Sequence, residues 1–384
     1  MMAKRSIFED VTEGTSTAPP VRGGIDRPAG ARRAIRVWLI AMFVMVAAMI
    51  LIGGLTRLTD SGLSITEWKP VTGMIPPLNG ADWQAEFDLY QQSPQYQIAN
   101  EGMTMSQFQQ IYWWEWGHRF LGRMIGFVWA IGFVGFWLLG KIPPGWKGRL
   151  LLIGGLGGLQ GAIGWWMVAS GLESGMTTVA SYRLATHLGI AFIIFGFLTW
   201  YALQMGRTEG ALLQARRVRE GKLFGMTTGL LHLAFLQILL GALVAGIDAG
   251  RSFPTWPLMN GSFFPADAFY VAAVEGNSWR AFFENPGLVQ FIHRMTAYLL
   301  FVYGIVVFLR GRRSPHKSTR RAYYMMMGML VVQVLLGITA AVTAAALHPA
   351  ITHQLGAIVL WVLILRARHL AQYPITTSIR GGTL

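Results

Sequence analysis

Residues 115–139 read EWGHRFLGRMIGFVWAIGFVGFWLL, an apolar run with a carboxylate and a histidine at its start. From His118 onward the run is long enough to cross a bilayer as a helix, which needs about 20 predominantly apolar residues. A titratable side chain in such a span is costly and therefore marks a candidate functional site. The stretch predicts a membrane helix with a functional imidazole near one end.

The composition of the whole chain also indicates a membrane protein. Of its 384 residues 53% are hydrophobic and only 13% are charged, and 15 are tryptophan. Apolar windows of suitable length predict eight transmembrane helices, at residues 37–56, 118–139, 150–169, 184–204, 224–247, 289–309, 323–346 and 351–365. The fold class is therefore predicted to be an all-α integral membrane protein. Because cysteine is absent, thiolate metal sites, covalent haem attachment and disulfides are excluded.

Lysine and arginine concentrate in alternate loops and in both terminal segments. Basic residues cluster in 1–36, 141–149, 207–222, 310–321 and 366–380, whereas the loops 60–101 and 248–284 between them carry ten of the 18 acidic residues. The positive-inside rule then predicts that both termini are cytoplasmic and that the two long loops lie outside. The net charge of +14 thus reflects topology, and nucleic acid is not expected as a partner.

The chain repeats itself. Six residues of the first outer loop recur in the second at a constant separation of 188 positions: Asp60, Gly62, Ser64, Trp68, Gly73 and Pro77 match Asp248, Gly250, Ser252, Trp256, Gly261 and Pro265. Each unit holds four spans, an even number, so both halves should insert with the same orientation. The sequence predicts two parallel four-helix-bundle repeats.

The predicted organisation has five segments. Residues 1–34 are expected to form a disordered cytoplasmic tail, and 35–205 the N-terminal four-helix half. Residues 206–222 are expected to be a cytoplasmic linker, 223–370 the C-terminal half, and 371–384 a second cytoplasmic tail.

Four histidines occupy matched places in the repeat. His118 and His187 belong to the first half, and His293 and His353 to the second. All four should lie at a similar depth in the outer leaflet, two in each half. Two imidazoles that face each other across a helix bundle can hold a haem iron from both sides. Any one of them alone could instead be a histidine bonded to a neighbouring helix, but the repeated pairs favour two haem sites.

The halves differ beside the first histidine of each pair. Glu115 lies one helical turn before His118, on the same face, whereas Gln290 holds the matching place before His293. One site thus has an acid/base group that the other lacks, which favours one catalytic pocket. The alternative is that Glu115 only caps the outer end of its helix.

Arginines gather near the same surface. Arg57, Arg119 and Arg294 are candidates to bind haem propionates, because a guanidinium pairs with a carboxylate through two hydrogen bonds. Arg119 and Arg294 could instead pair with Asp60, Glu67 or Asp248, and the sequence leaves this open.

The chain resembles the haem A synthase family over about residues 35–370. The resemblance rests on the segment GGLTRLTDSGLS at 53–64, on Glu115-x-x-His118-Arg119-x-x-Gly122-Arg123, and on Thr186-His187, His293-Arg294 and Thr352-His353. Some bacterial members carry a cysteine pair in the first outer loop. The absence of cysteine here makes the chain most similar to the alphaproteobacterial and mitochondrial branch.

The resemblance implies an enzyme of the bacterial inner membrane that oxidises the C8 methyl group of haem O to the formyl group of haem A. It implies that His118 and His187 hold the substrate haem and that His293 and His353 hold haem b. Water is the implied oxygen source, with Glu115 as the base. The implied partners are haem O synthase, cytochrome oxidase assembly factors and a membrane electron acceptor, while a homo-oligomer is left open.

Two other functions fit parts of the sequence. A di-haem b cytochrome that relays electrons from quinol would have similar residues around both haems, which the contrast between Glu115 and Gln290 disfavours. A transporter with parallel repeats would need broken helices and charges at mid-membrane, whereas the ionisable residues here gather near the outer surface.

The alternation of basic loops predicts the topology of the chain. Reporter fusions placed within 141–149, 206–222 and 310–321 should report a cytoplasmic location, and fusions within 70–105 and 255–285 an external one. An external signal from 310–321 would contradict both the topology and the parallel repeat.

Overall fold

The computed structural model describes residues 29–375. Thirteen α-helices are present in this range: α1 (Ala29–Leu58), α2 (Gly80–Gln91), α3 (Pro94–Ala99), α4 (Met105–Leu138), α5 (Lys147–Gly171), α6 (Ser181–Met205), α7 (Glu209–Arg217), α8 (Gly221–Gly246), α9 (Ala249–Ser252), α10 (Ala281–Glu284), α11 (Pro286–Gly311), α12 (Lys317–Val342) and α13 (Leu347–Gln372). A hairpin of two short antiparallel strands, β1 (Tyr270–Val271) and β2 (Gly276–Asn277), lies in the second long loop.

Eight of these helices are long and apolar enough to cross a membrane: α1, α4, α5, α6, α8, α11, α12 and α13. The prediction of an all-α protein with eight spans is thereby confirmed. The expected N-terminal tail, 1–34, lies mostly outside the described residues, but α1 already begins at Ala29. The part of the C-terminal tail beyond residue 375 also lies outside them.

Helix α4 is longer than its apolar run. It begins at Met105, where the side chain of Thr104 accepts a hydrogen bond from the backbone of Gln107 and the side chain of Gln107 accepts one from the Thr104 amide. Such a capping box starts a helix efficiently because it satisfies two amides that would otherwise lack partners. The added turns pack Phe108 and Tyr112 against the first long loop, where both are buried with Phe87 and Tyr90.

The eight spans form two closed sets of four neighbours. In the first, α1 packs against α4 and α6, and α5 packs against the same two helices; in the second, α8 and α12 each pack against α11 and α13. The sets meet through contacts of α6 with α8 and α13 and of α1 with α13. Helix α6 is the most buried span, whereas α4, α5 and α12 lie mainly on the outside.

Polar side chains join neighbouring spans through backbone carbonyls. The Trp38 indole donates to Val128 O at 2.9 Å, and the Trp129 indole donates to Leu150 O at 3.0 Å. Glycine makes room for both rings, because a Cβ at Gly132 or Gly154 would lie within about 2 Å of an indole atom. Small residues and interhelical hydrogen bonds of this kind stabilise helix contacts in lipid, where apolar burial contributes little.

Polar contacts join the two halves at both ends of the bundle. At the end with the long loops, the Arg57 guanidinium donates to Asp60 Oδ1 and to Asp248 Oδ2, each at 2.7 Å. Both aspartates have the left-handed backbone conformation, with φ of 51° and 52°, which Asp tolerates better than most residues. At the other end, Arg207 donates to Tyr373 O at 2.9 Å. At the end with the long loops, Arg57 therefore joins the matching Asp60 and Asp248 turns of the two halves.

The Arg57 contacts generate a stability prediction. Arg57→Ala should lower the free energy of unfolding by about 1 kcal/mol, because the aspartates are partly exposed and such pairs contribute little individually. The measurement is the thermal unfolding of detergent-purified protein. Arg251→Ala is the matched control, since Arg251 lies 3.7 Å from the same Asp248 and is half exposed. Equal stability of the two variants would show that Arg57 does not stabilise the contact between the two halves.

Candidate functional site

The four histidines lie on four different spans. His118 is on α4, His187 on α6, His293 on α11 and His353 on α13. The imidazoles of His118 and His187 are close enough to interact electrostatically, and so are those of His293 and His353. All four residues are partly buried. The pairing by halves agrees with the arrangement predicted from the sequence.

A glycine on a neighbouring helix lies directly against each imidazole. A Cβ at Gly53 would be 3.1 Å from His118 Nε2, and one at Gly164 would be 2.9 Å from His187 Cε1. In the second half, a Cβ at Gly241 or Gly337 would be 3.1 Å from the Cε1 atom of His293 or His353. Any larger residue would therefore push against the imidazole, so the four glycines set the position of the four rings.

A glutamine one turn before the glycine also reaches three of the imidazoles. Gln160 Nε2 lies 3.2 Å from His187 Nε2, Gln237 Nε2 lies 3.0 Å from His293 Nδ1, and Gln333 Nε2 lies 3.2 Å from His353 Nδ1. Each amide also donates to the backbone oxygen of its histidine, at 3.0 to 3.1 Å. Gln237 was missed in the sequence because Met49 holds the matching place in the first half.

The residues fit a haem better than a bare metal ion. Within residues 29–375 no group of three or more His, Asp and Glu side chains could hold a metal ion. Two imidazoles in each half, by contrast, supply the two axial nitrogens that haem iron takes. The Oε1 atoms of Gln160, Gln237 and Gln333 are buried without a hydrogen-bond partner, and a ligating imidazole offers them an N–H group.

Glu115 is buried, with 2% of its surface exposed, and both of its oxygens accept hydrogen bonds. Oε2 accepts from Ser64 Oγ and from the Ile65 amide, each at 2.8 Å. Oε1 accepts from Arg119 Nη2 at 2.6 Å and from Arg119 Nε at 3.1 Å. The carboxylate thus ties α4 to the first long loop.

The helix-cap interpretation of Glu115 is wrong. Helix α4 begins at Met105, so Glu115 lies well inside it, where the backbone amides are already bonded within the helix. In the second half Gln290 Oε1 accepts a longer bond, 3.2 Å, from Arg294 Nη2. The first half therefore holds an ion pair where the second holds a neutral amide.

The arginines next to the histidines hold the long loops. Arg119 Nη2 donates to Ile65 O at 2.8 Å, and Arg294 Nη2 donates to Phe253 O at 2.9 Å. Ile65 and Phe253 are themselves 188 positions apart, so this contact is repeated. Arg57 is shared by Asp60 and Asp248. All three arginines thus have protein partners, and their contact with propionates stays a prediction.

A cleft lies between the first long loop and α4, beside the pair Glu115–Arg119. Its lining includes Glu67, Lys69, Glu86, Tyr112 and Arg123. The hydrogen bond from Lys69 to Glu67 raises the pKa of the Lys69 amine, and a second bond to Glu86 adds to this effect. The charges of this cleft therefore compensate one another.

The remaining histidines stand apart from the two pairs. His369, expected among basic residues of the C-terminal segment, is buried on α13 with its ring 5.2 Å from the Trp200 ring. His348 lies in the first turn of α13 rather than in a loop, because the helix begins at Leu347. His232 is on the exposed side of α8.

The chain is similar to known proteins over nearly its whole length. Residues 36–365 match the model of a family described as cytochrome oxidase assembly protein, COX15-CtaA. A heme A synthase of Cereibacter sphaeroides is 60% identical over 387 residues, 99% of each chain. One of a Ruegeria species is 61% identical over 384 residues, covering 99% of this chain and 100% of its own. One of Paracoccus denitrificans is 60% identical over 382 residues, 99% of each chain.

The glycine contacts generate a prediction about haem binding. Gly241→Val should reduce the haem bound per protein, since its branched side chain would occupy space that lies 3.1 Å from the His293 ring. The measurement is haem absorbance per mole of purified protein. Gly225→Val on the same helix is the control, because a Cβ there meets nothing within 4 Å. Equal haem content in both variants would show that Gly241 does not position the ligand.

Proposed function

We propose how haem A is made by this chain, which belongs to the COX15-CtaA family of cytochrome oxidase assembly proteins. The predictions of the family and of the function, haem A synthase, are confirmed by relatives that are 60% identical over the whole chain. We further propose where the two haems bind, what each site residue does and how the chain is oriented in the membrane.

Both termini are proposed to lie in the cytoplasm and the two long loops outside the inner membrane. Two observations support this arrangement. The basic residues alternate between loops as the positive-inside rule requires, and each half joins its spans in the same cyclic order. The halves are then parallel repeats related by an axis along the membrane normal, and all four imidazoles lie toward the outer surface.

The substrate haem O is assigned to His118 and His187, and the resident haem b to His293 and His353. The observation that carries this assignment is the contrast between the ion pair Glu115–Arg119 in the first half and the pair of a neutral amide with a guanidinium, Gln290–Arg294, in the second. A reaction that releases protons needs a group that can bind one. Haem b, when bound, supplies one-electron chemistry that can carry electrons away from the substrate site.

The reaction converts a methyl group and water into a formyl group in two steps. The first gives a hydroxymethyl group with release of two protons and two electrons, and the second gives the formyl group with release of two more of each. The electrons leave for an acceptor in the membrane, whereas the protons need an acceptor at the site. We assign the role of acid/base group to Glu115.

The Ser64 hydroxyl is well placed to serve Glu115. It donates to Glu115 Oε2 at 2.8 Å, and a hydroxyl can accept a proton while donating its own. A proton released on the substrate side can therefore reach the carboxylate through Ser64. Arg119 keeps the carboxylate in place through two bonds to Oε1. These contacts hold the proton acceptor at a defined position one turn from His118.

Arg57, Arg119 and Arg294 are proposed to bind the haem propionates. Arg57 Nε is buried without a partner, so this guanidinium has a donor left for another carboxylate. Arg119 and Arg294 each follow an iron ligand and hold a long loop, so a propionate on either would also link the haem to that loop. The proposed protein partners are haem O synthase and cytochrome oxidase assembly factors.

The test of the proposed catalytic role is Glu115→Gln. The variant keeps the size of the side chain and makes the first half resemble the second. It should insert into the membrane and bind haem, because Glu115 is not an iron ligand. It should make little haem A, because the amide cannot take up the released protons. Pigment analysis of the purified variant should show haem O or a partly oxidised haem together with haem b.

Gln290→Glu is the matched control. It places a carboxylate at the same position of the other half, next to Arg294, and should leave haem A production close to normal. Near-normal production of haem A by Glu115→Gln would refute the acid/base role. Loss of all haem from that variant would instead assign Glu115 to binding.

A further inference from the structure

Three of the four axial histidines share one supporting arrangement on the neighbouring helix. A glutamine and, four residues later, a glycine face the histidine from α5, α8 and α12. The glycine packs against the ring, and the glutamine amide donates to the histidine's backbone oxygen. The three arrangements are Gln160–Gly164 with His187, Gln237–Gly241 with His293, and Gln333–Gly337 with His353.

The unpaired atoms of these arrangements match what iron binding requires. When Nε2 of an imidazole binds iron, its Nδ1 carries a hydrogen and needs an acceptor. The Oε1 atoms of all three glutamines are buried and have no hydrogen-bond partner, and in the first half His187 Nδ1 is likewise buried and unpaired. In the second half the amides of Gln237 and Gln333 lie 3.0 and 3.2 Å from Nδ1 of their histidines, so the free Oε1 of the same amide is a candidate acceptor for Nδ1–H. The glutamine then orients the ring and increases the basicity of the iron ligand. Gln160 instead lies at Nε2 of His187 and holds this histidine through its backbone oxygen.

The fourth histidine has no such support. Helix α1 keeps the glycine, Gly53, which lies against His118, but Met49 stands where the other helices have glutamine. Among residues 29–375 the His118 imidazole has no side-chain hydrogen bond to an amide, and a Cβ at Gly122 would be 3.4 Å from the end of the Met49 side chain. Met49 has no amide that could donate to the backbone oxygen of His118, and a thioether is only a weak acceptor.

We propose that Gln160, Gln237 and Gln333 are positioning residues that hold three axial histidines, and that Met49 leaves His118 as the exchangeable ligand through which haem O enters and haem A leaves. The inference rests on the proposed function for which half holds which haem. In this arrangement His187, held by Gln160, would retain the substrate haem, and His118 would be the ligand that is free to leave it. Both ligands of haem b are held, so that haem stays in place through many turnovers.

The first test adds the missing amide. Met49→Gln should slow the loss of haem A from the purified protein to apomyoglobin by about 10-fold or more, the size of effect typical of partners of metal ligands. Product should then accumulate on the enzyme. Met49→Leu is the matched control, since it removes the thioether without adding an amide, and it should leave the rate of loss unchanged. Equal rates for Met49→Gln and Met49→Leu would overturn the assignment of His118.

The second test removes an amide at the haem b site. Gln237→Met should raise the midpoint potential of haem b by about 59 mV, which corresponds to a 10-fold weaker preference for ferric iron, and should speed haem loss. Gln237→Glu keeps an acceptor oxygen and should leave the potential at or below that of the unchanged protein. A role in packing alone would shift both variants in the same direction. That outcome, or no shift in either, would overturn the positioning role.

His293→Leu separates failure of this inference from failure of the haem assignment. It should abolish the low-spin spectrum of haem b. If that spectrum persists, the second half does not hold haem b and the proposed function fails. If it is lost while Gln237→Met and Gln333→Met leave potential and haem loss unchanged, the haem assignment stands and the inference about glutamine fails.

Discussion

A polar group inside an apolar helix bundle needs a partner, because lipid offers no hydrogen bonds. This constraint explains the structure around the four histidines better than any other. Each imidazole lies against a glycine, and three of them also meet a glutamine amide. The glutamine oxygens remain buried without partners. Such a set of unpaired atoms is costly unless another group completes it, which is consistent with the proposal that each pair of imidazoles holds a haem iron.

The two halves use the same framework for different purposes. The repeated contacts, such as Arg119 with Ile65 O and Arg294 with Phe253 O, hold each long loop over its own site. Beside the paired histidines two positions differ between the halves: Glu115 stands where the second half has Gln290, and Met49 where it has Gln237. On the proposed assignment, these two side chains distinguish the substrate site from the cofactor site.

Much of the architecture could be predicted because its signals are local. Apolar runs of sufficient length marked all eight spans, and the repeated order of matching residues assigned two histidines to each half. The contacts that define the site were not predictable, since they join distant segments. Glu115 meets Ser64 and Ile65 only once the first long loop folds back on α4. The start of α4 at Met105 was missed because its first turns are polar, and Gln237 because Met49 breaks the repeat at that position.

Because α6 is the most buried span, its environment changes as the rest of the protein is synthesised and inserted. Its neighbours α1 and α5 precede it in the chain, whereas α8 and α13 follow it. During synthesis one side of α6 therefore faces lipid until the second half has been inserted. That side includes Phe192, which packs against Trp361 of α13, and lipid solvates such an apolar surface as well as a protein neighbour does. This side of α6 therefore needs no protein neighbour before the second half is inserted, and the polar contact of Ser181 with Phe283 O forms only when the second half arrives.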